Sequence, residues 1–330
     1  WRMITGESYI HDPVFHGPFL YYFTCLVFVL FGVSVLIFLM IRFIPGDAVA
    51  IMLGANTDIT PERVENLRRQ LGLHLPMHVQ YWEWLKGVLQ GDLGRSVWTG
   101  TPVSREISAR LPVTLEITGL ALLLALVLSF PLGVLAARAR GTAGDVIVRV
   151  VAIVGLTLPS FWVGVLLLYL FSVRFPGWPS IGYVPFAEDP AGNLARMVLP
   201  VVAVSLPMVA GLTRILRSSL LEVLGSDFVR TARSKGASER TVLYKHALRN
   251  ALIPVITVIG VQVGYLLSGV VVIEQVFAIP GVGRLVIGAI NERNYPLVQG
   301  IVLVVTAVFV FVNLLVDLAY AWIDPRVEYS

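Results

Sequence analysis

The sequence is poor in charged residues and almost free of cysteine. Only 14% of its 330 residues are Asp, Glu, Lys or Arg, whereas soluble domains carry roughly 25%. The single cysteine, Cys25, leaves no disulfide framework and no cysteine metal cluster. None of the three lysines stands in a Gly-x-x-x-x-Gly-Lys-Ser/Thr loop, the phosphate-binding motif that a self-contained ATPase needs. The five histidines form no His-Glu-x-x-His motif, and no metal site is expected.

The chain instead contains long runs of apolar residues. Hydrophobic residues make up 56% of the chain, and the mean hydropathy is +0.80. Six runs reach the roughly 20 apolar residues that a membrane-spanning helix needs. Backbone groups in lipid must be satisfied within the segment, so helices are predicted. The sequence predicts an all-α integral membrane protein with six transmembrane helices at about 19–43, 112–137, 147–173, 197–217, 251–275 and 297–322.

The distribution of arginine and lysine predicts the orientation of the chain. Short loops rich in these residues face the cytoplasm. The loops after the second and fourth spans are rich in them, whereas the loops after the third and fifth are nearly balanced in charge. Both termini are therefore predicted to be cytoplasmic, as a segment at 1–18 and a tail at 323–330. The basic residues are not gathered beside stacking aromatics, which argues against a nucleic-acid partner.

The segment 44–111, between the first span and a five-helix core at 112–322, is predicted to be a small external subdomain. Loops this long escape the charge rule. Thr60 and Pro61 predict the N-cap and first residue of a helix, with Glu62 in its first turn. A second helix is predicted over PMHVQYWEWLKGVLQ, ending at Gly91.

The stretch 226–254 is polar although it lies between two apolar spans. Ser226 and Asp227 predict the start of a short helix, and Gly236 supplies the left-handed residue that ends one. Ser238 then predicts the cap of a second helix, which continues into the fifth span and is kinked near Pro254. Two interpretations follow from these residues. The basic helix contacts anionic lipid, or it docks into a groove of a cytoplasmic partner.

The same stretch resembles a known family. This chain resembles the EAA loop of ABC importer permeases at Thr231-Ala232-Arg233, Gly236 and Leu252-Ile253-Pro254. The wider run at 217–255 resembles the dipeptide/oligopeptide branch of that family, as do the runs at 42–54, 71–96, 274–300 and 313–327. Arg230-Thr231 stands where the general loop has Glu-Ala, which is usual for the peptide branch. The resemblance extends from about residue 25 to the C-terminus.

This resemblance implies a type I ABC importer permease fold with a cytoplasmic coupling helix. The implied function is that of a permease subunit of an ATP-driven, binding-protein-dependent importer of di- or oligopeptides in a prokaryotic cell membrane. The implied partners are a second permease, two ATPase subunits that bind ATP and Mg, an extracytoplasmic binding protein and membrane lipid. The chain itself is then no enzyme and binds no cofactor. The implied ATPase-coupling residues are Asp227, Phe228, Arg230, Thr231, Ala232, Arg233, Lys235 and Gly236.

The fifth span carries further candidates for helix packing or for the transport path. Gly260 and Gly264 have the GxxxG spacing that lets helices approach closely, and Ser268 follows four residues later. Gln262 is a candidate for a hydrogen bond to another helix. Glu274, at the predicted outer end, is either a functional group at the mouth of a path or an interface anchor.

Several alternatives stay open at this point. Nickel, glutathione and oligosaccharide importers share nearly the same permease pattern. A secondary transporter or channel would more often show coupling charges at mid-span or an inverted repeat. An integral-membrane enzyme would show clustered catalytic His, Asp or Glu. The sequence shows neither of these last two signatures.

Overall fold

The computed structural model describes residues 31–39, 61–70 and 72–323. Residues 31–39 are helical, and the rest of the first predicted span lies outside the described residues, as do the segments 1–18 and 324–330. The described helices are, in chain order, α1 (Pro61–Gln70), α2 (Met77–Leu89), α3 (Val103–Arg138), α4 (Ala143–Thr157), α5 (Ser160–Arg174), α6 (Pro190–Leu224), α7 (Asp227–Ser234), α8 (Leu248–Val276), α9 (Val282–Asn291) and α10 (Tyr295–Ile323).

Four of these helices are long and apolar enough to cross a membrane. The qualifying stretches are Val103–Arg138, Pro190–Leu224, Val258–Val276 and Tyr295–Leu315, and the bent pair α4–α5 is a fifth candidate. They correspond to the second to sixth predicted spans, and the fold class predicted from the sequence is confirmed. The total of six spans stays a prediction, because most of the first one lies outside the described residues.

Helix α6 is the centre of the bundle. In its most apolar window 67% of the residues are buried inside the protein, against 28–39% in the other three long helices. The core between α6 and α3 is closely packed, since a Cβ at Gly133 would lie 2.9 Å from Cδ2 of Leu216. At one end Arg217 of α6 donates two hydrogen bonds, of 2.7 and 2.8 Å, to the buried carboxylate of Asp145 on α4.

The third predicted span is not one helix. It divides into α4 and α5, whose axes differ by 102°. The break falls at Leu158 and Pro159, both of which have extended backbone conformations. Proline disfavours a helical conformation in the residue before it and has no amide to donate. The prediction of a single helix over 147–173 is therefore wrong.

The segment before α3 follows the predictions closely. Helix α1 begins at Pro61 with Glu62 in its first turn, and α2 ends at Leu89, just before Gly91 at φ +82°. Thr60 lies outside the described residues. Helix α3 begins at Val103, nine residues before the predicted span, so its first turns belong to the stretch that was assigned to the external subdomain.

Candidate functional site

Helix α7 follows α6 after only two residues. Asp227 lies in its first turn, where a negative charge is favoured by the helix dipole. Ser226 occupies the N-cap position, but its hydroxyl donates to the carbonyl of Val223 in α6. The predicted helix start at Ser226 and Asp227 is confirmed, although the side chain of Ser226 does not cap α7. The carbonyl of Val223 accepts from both the amide and the hydroxyl of Ser226.

Gly236 ends α7 in the left-handed conformation that the sequence predicts, with φ +81°. Its amide donates to the carbonyl of Arg233 at 2.9 Å, and the amide of Ala237 donates to that of Ala232 at 3.2 Å. This pair of bonds is a Schellman motif. Apart from its chain neighbours, no atom of the described residues lies within 4 Å of the position that a Cβ at 236 would take. The backbone conformation, and not a lack of space, therefore requires glycine here.

Two surface ion pairs hold charged side chains in α7 and just after it. Arg233 donates from Nε and Nη2 to the two carboxylate oxygens of Glu239, at 2.7 and 3.1 Å. These hydrogen bonds lower the pKa of Glu239 and raise the pKa of Arg233. Arg230 Nη1 lies 3.4 Å from Oδ1 of Asp227 within α7. All four side chains are solvent-exposed, so these pairs contribute little to stability.

Helix α7 has one buried and one exposed face. Val229 is fully buried and fixes the helix on the body of the protein, whereas the ring of Phe228 is 47% exposed. Ala232 is half-buried. The other predicted coupling residues are exposed: Asp227, Phe228, Arg230, Thr231, Arg233, Lys235 and Gly236. The eight predicted coupling residues thus form one continuous surface, which we call the coupling corner.

A helical run without interruption leads from the coupling corner into α8. Ser238 caps it as predicted, because its hydroxyl accepts from the amide of Thr241 at 3.3 Å. The run begins as Glu239–Thr241, continues as a π-helix over Val242–Ala247 and becomes α-helical from Leu248. The π-helix was not predicted, and π-helical insertions are frequent at functional sites.

Two candidates on α8 contact neighbouring helices. A Cβ at Gly264 would overlap the ring of Phe309 on α10, and Nε2 of Gln262 lies 2.9 Å from the Cβ position of Gly211 on α6. Gly260 is buried. These contacts favour helix packing as the role of Gly264 and place Gln262 against α6.

Ser268 has different surroundings. It is exposed, and its hydroxyl donates to the carbonyl of Gly264 in its own helix at 3.3 Å. Together with Tyr265 and Asn313 it lines an open depression of about 560 Å³ between α8 and α10. Ser268 therefore makes none of the close helix contacts that its spacing from Gly264 suggested.

Glu274 lies at the end of α8 opposite the coupling corner, and it is fully buried. Its Oε1 accepts from the hydroxyl of Thr114 on α3 at 2.6 Å, and its Oε2 accepts from the amide of Arg284 on α9 at 2.9 Å. Of the two interpretations that the sequence allowed, these contacts favour the anchor.

Sequence reasoning missed the partners of this anchor. Thr114 is 160 positions away from Glu274, and a threonine in an apolar run has no pattern that predicts its partner. Helix α9 was also missed, although Pro280-Gly281 before it is a turn signal that also suits a helix start. The pair formed by buried Asp145 and partly buried Arg217, 72 positions apart, was missed for the same reason as Thr114.

These features define a class: a multi-helix membrane protein in which an exposed, mostly polar corner is joined by a short turn to a membrane-crossing helix. The chain belongs to the family described as binding-protein-dependent transport system inner membrane component, which matches residues 129–329. Residues 19–118 match the N-terminal part described for the same kind of membrane component. The family resemblance inferred from the motifs is confirmed. Membership of this family decides against the alternatives of a secondary transporter, a channel and a membrane enzyme.

Curated relatives are similar over almost their whole length. A putative peptide transport system permease protein of Brucella suis is 44% identical over 298 residues, covering 90% of this chain and 94% of the relative. A probable peptide ABC transporter permease protein of Sinorhizobium fredii is 41% identical over 297 residues, with the same coverage. The dipeptide transport system permease protein DppB of Escherichia coli is 41% identical over 322 residues, covering 91% and 95%.

Among solved structures, the MetNI methionine ABC transporter in inward-facing conformations is similar at a TM-score of 0.53. The match covers 66% of this chain and 96% of that chain at 16% sequence identity. At this identity the similarity supports the fold, and it agrees with the permease fold expected from the sequence.

Proposed function

We propose that this chain is the permease subunit of an ATP-driven importer of di- or oligopeptides and that the coupling corner docks onto an ATPase subunit. The observation that carries the docking role is the exposed α7 surface, which is separated by one glycine turn from the unbroken helical run that leads into α8. The peptide substrate is supported by the relatives, whose names describe peptide or dipeptide transport.

In the proposed complex this chain supplies half of the translocation path and a second, similar permease supplies the other half. Two cytoplasmic ATPase subunits bind ATP and Mg, and an extracytoplasmic protein delivers the peptide. Phe228 is the proposed anchor in a groove of the ATPase, because it is a large apolar side chain exposed beside charged ones. Arg230, Arg233 and Lys235 surround it with positive charge.

The geometry suggests how motion would pass from the ATPase into the membrane. The Schellman turn at Gly236 fixes the direction of α7 relative to the next helix, and the Arg233–Glu239 pair joins the two across the turn. A displacement of α7 then moves the helical run that becomes α8. Ser268 and Tyr265, which face the open depression beside α10, are the side chains of α8 that we propose for the path.

The direct test is transport by the assembled complex. The chain is co-expressed with its ATPase, second permease and binding protein, and uptake of a labelled dipeptide into proteoliposomes is measured with and without ATP. We expect ATP-dependent uptake that unlabelled di- and oligopeptides inhibit, and no ATP hydrolysis by the chain alone. Inhibition by nickel, glutathione or an oligosaccharide instead of peptides would refute the peptide assignment.

We also propose the orientation in which the coupling corner and both termini are cytoplasmic, on the basis of the arginine-rich loops. Reporter fusions at Arg140 and Arg240 should then be cytoplasmic, and a fusion at Arg68 should be external. A reporter that is external at Arg240 would place the corner on the wrong side for an ATPase and would end the docking proposal.

A further inference from the structure

Helix α9 begins without a capping side chain of its own. Its N-cap residue is Gly281, so the first amides of the helix need acceptors from elsewhere. The amide of Val282 donates to the hydroxyl of Thr114 at 2.8 Å, and the amide of Arg284 donates to Oε2 of Glu274 at 2.9 Å. Two neighbouring helices, α3 and α8, therefore supply the cap that α9 lacks.

The two capping side chains are also bonded to each other. Thr114 Oγ donates to Oε1 of Glu274 at 2.6 Å, and both side chains are buried. A carboxylate near the first turn of a helix is favoured by the positive end of the helix dipole. Because both side chains are buried, a lost bond would leave a buried polar group without a partner, which is costly.

The close approach of α9 to α8 depends on glycine. A Cβ at Gly281 would overlap the carboxylate of Glu274, and a Cβ at Gly283 would overlap Cα of Val271. Gly281 has an extended backbone that other residues adopt freely. Space, and not backbone conformation, is therefore what requires glycine at 281.

Helix α9 in turn holds the loop that precedes α3. Trp98 Nε1 donates to the carbonyl of Glu292 at 2.7 Å, and Asn294 Nδ2 donates to Ser96 Oγ at 2.7 Å. Val282 and Ala289 of α9 lie in one buried apolar cluster with Ile107 of α3. An element that displaces α9 therefore also displaces this loop.

We propose that Glu274 and Thr114 are positioning residues that lock α9 to the far end of α8, so that motion entering at the coupling corner is delivered to α9 and to the loop at 92–102. Helix α8 alone has 29 residues, or about 43 Å at 1.5 Å per residue. Its far end can move α9 only if the two are firmly connected, and the two capping side chains contribute to that connection together with the close packing of Gly283 on Val271. The proposal rests on the docking role proposed above for the coupling corner.

The test compares Glu274→Gln and Thr114→Val with the wild-type complex, and Thr114→Ser is the matched control that keeps the hydroxyl. Three quantities are measured: hydrogen–deuterium exchange of the amides at 281–285, ATPase activity with and without the loaded binding protein, and uptake of a labelled dipeptide. Both variants should raise amide exchange about tenfold or more, as expected for the loss of a hydrogen bond to a charged group or of a buried bond. Uptake should fall by a similar factor, while basal ATPase activity and co-purification of the ATPase stay near wild type.

A second pair of variants disturbs the same contact from the side of α9. Gly281→Ala should reproduce the uptake defect, because its methyl group would displace the Glu274 carboxylate. Gly288→Ala, on the same helix, has no atom within 4 Å of the new Cβ and should transport normally. In a Glu274→Ala background, Gly281→Ala should cause no further loss of uptake, because the carboxylate that its methyl group would displace has been removed.

Two results would overturn the positioning role. One is normal uptake in Glu274→Gln and Thr114→Val despite faster exchange at 281–285, which would show that the position of α9 does not matter for transport. The other is a parallel loss of ATPase co-purification, basal ATPase activity and uptake, which would show that the contact serves folding alone. Wild-type uptake and its ATP dependence, measured alongside, test the proposed function separately, since only the difference between wild type and variants tests the positioning role.

Discussion

The two ends of the helical run from Glu239 to Val276 are built in opposite ways. At the coupling corner Glu239 is exposed and pairs with an exposed arginine, Arg233. At the far end Glu274 is fully buried and is bonded to Thr114 and to the amide of Arg284. Water can replace a lost partner at the first site but not at the second. The exposed end is thus suited to binding and releasing another protein, whereas the buried end is suited to a permanent contact.

The largest effect is expected from a change in the backbone of the coupling corner. Gly236→Val places a β-branched residue at φ +81°, which costs a residue other than glycine about 1–2 kcal/mol. We expect normal membrane insertion but loss of most ATPase co-purification and peptide uptake. Gly236→Asn is the control, because asparagine tolerates this conformation, and it should retain most of both.

The lipid-contact interpretation of α7 predicts a different ranking. Under it Gly236→Val would matter little, and the double variant Arg230→Gln/Arg233→Gln would lose function because it removes two positive charges. Full assembly and uptake in the valine variant would therefore show that the exposed end is not a docking site.

A smaller effect is expected in the middle of α8. The methyl group of Gly264→Ala would overlap the ring of Phe309. Overpacking of this kind typically lowers the stability of the fold by about 1–3 kcal/mol. We expect a lower thermal unfolding midpoint in detergent and partial recovery in Gly264→Ala/Phe309→Ala. Gly119→Ala, where no atom lies within 4 Å of the new Cβ, is the control. An unchanged midpoint in Gly264→Ala would mean that close packing is not the role of this glycine.

Phe228→Ala should weaken ATPase binding less than Gly236→Val does, because it removes the anchor and leaves the corner intact. The ring is about half exposed, so completing its burial should be worth about 1 kcal/mol, or roughly fivefold in affinity. Phe311→Ala removes a similarly exposed ring on α10 and should not change ATPase affinity. Equal effects of the two variants on ATPase affinity would argue against a specific anchor.

The smallest effect is expected from Glu239→Gln. The pKa of Glu239 is lowered by its hydrogen bonds to Arg233, so the pair stabilises the fold at neutral pH and loses this contribution as the pH falls through the folded-state pKa. Because both side chains are exposed, the difference in unfolding midpoint between wild type and variant should be small at pH 7 and should vanish once the pH falls below the lowered pKa of Glu239. A difference that grows on acidification would contradict this assignment.

Features that depend on neighbouring residues can be predicted from the sequence alone. Long apolar runs predict α3, α6, α8 and α10, because a helix in lipid satisfies its own backbone groups. Local rules equally predict the start of α1 at Pro61, the left-handed residue at Gly236 and the cap at Ser238, which the structure bears out.

Contacts between distant segments depend on the folded structure and could not be predicted from the sequence. The break at Pro159 is a local event, but its 102° angle depends on how α4 and α5 pack. Glu274 meets Thr114 across 160 positions, and neither residue carries a pattern that names the other. Capping and periodicity act over one or two helical turns, whereas the partner of a buried side chain depends on how whole helices pack against one another.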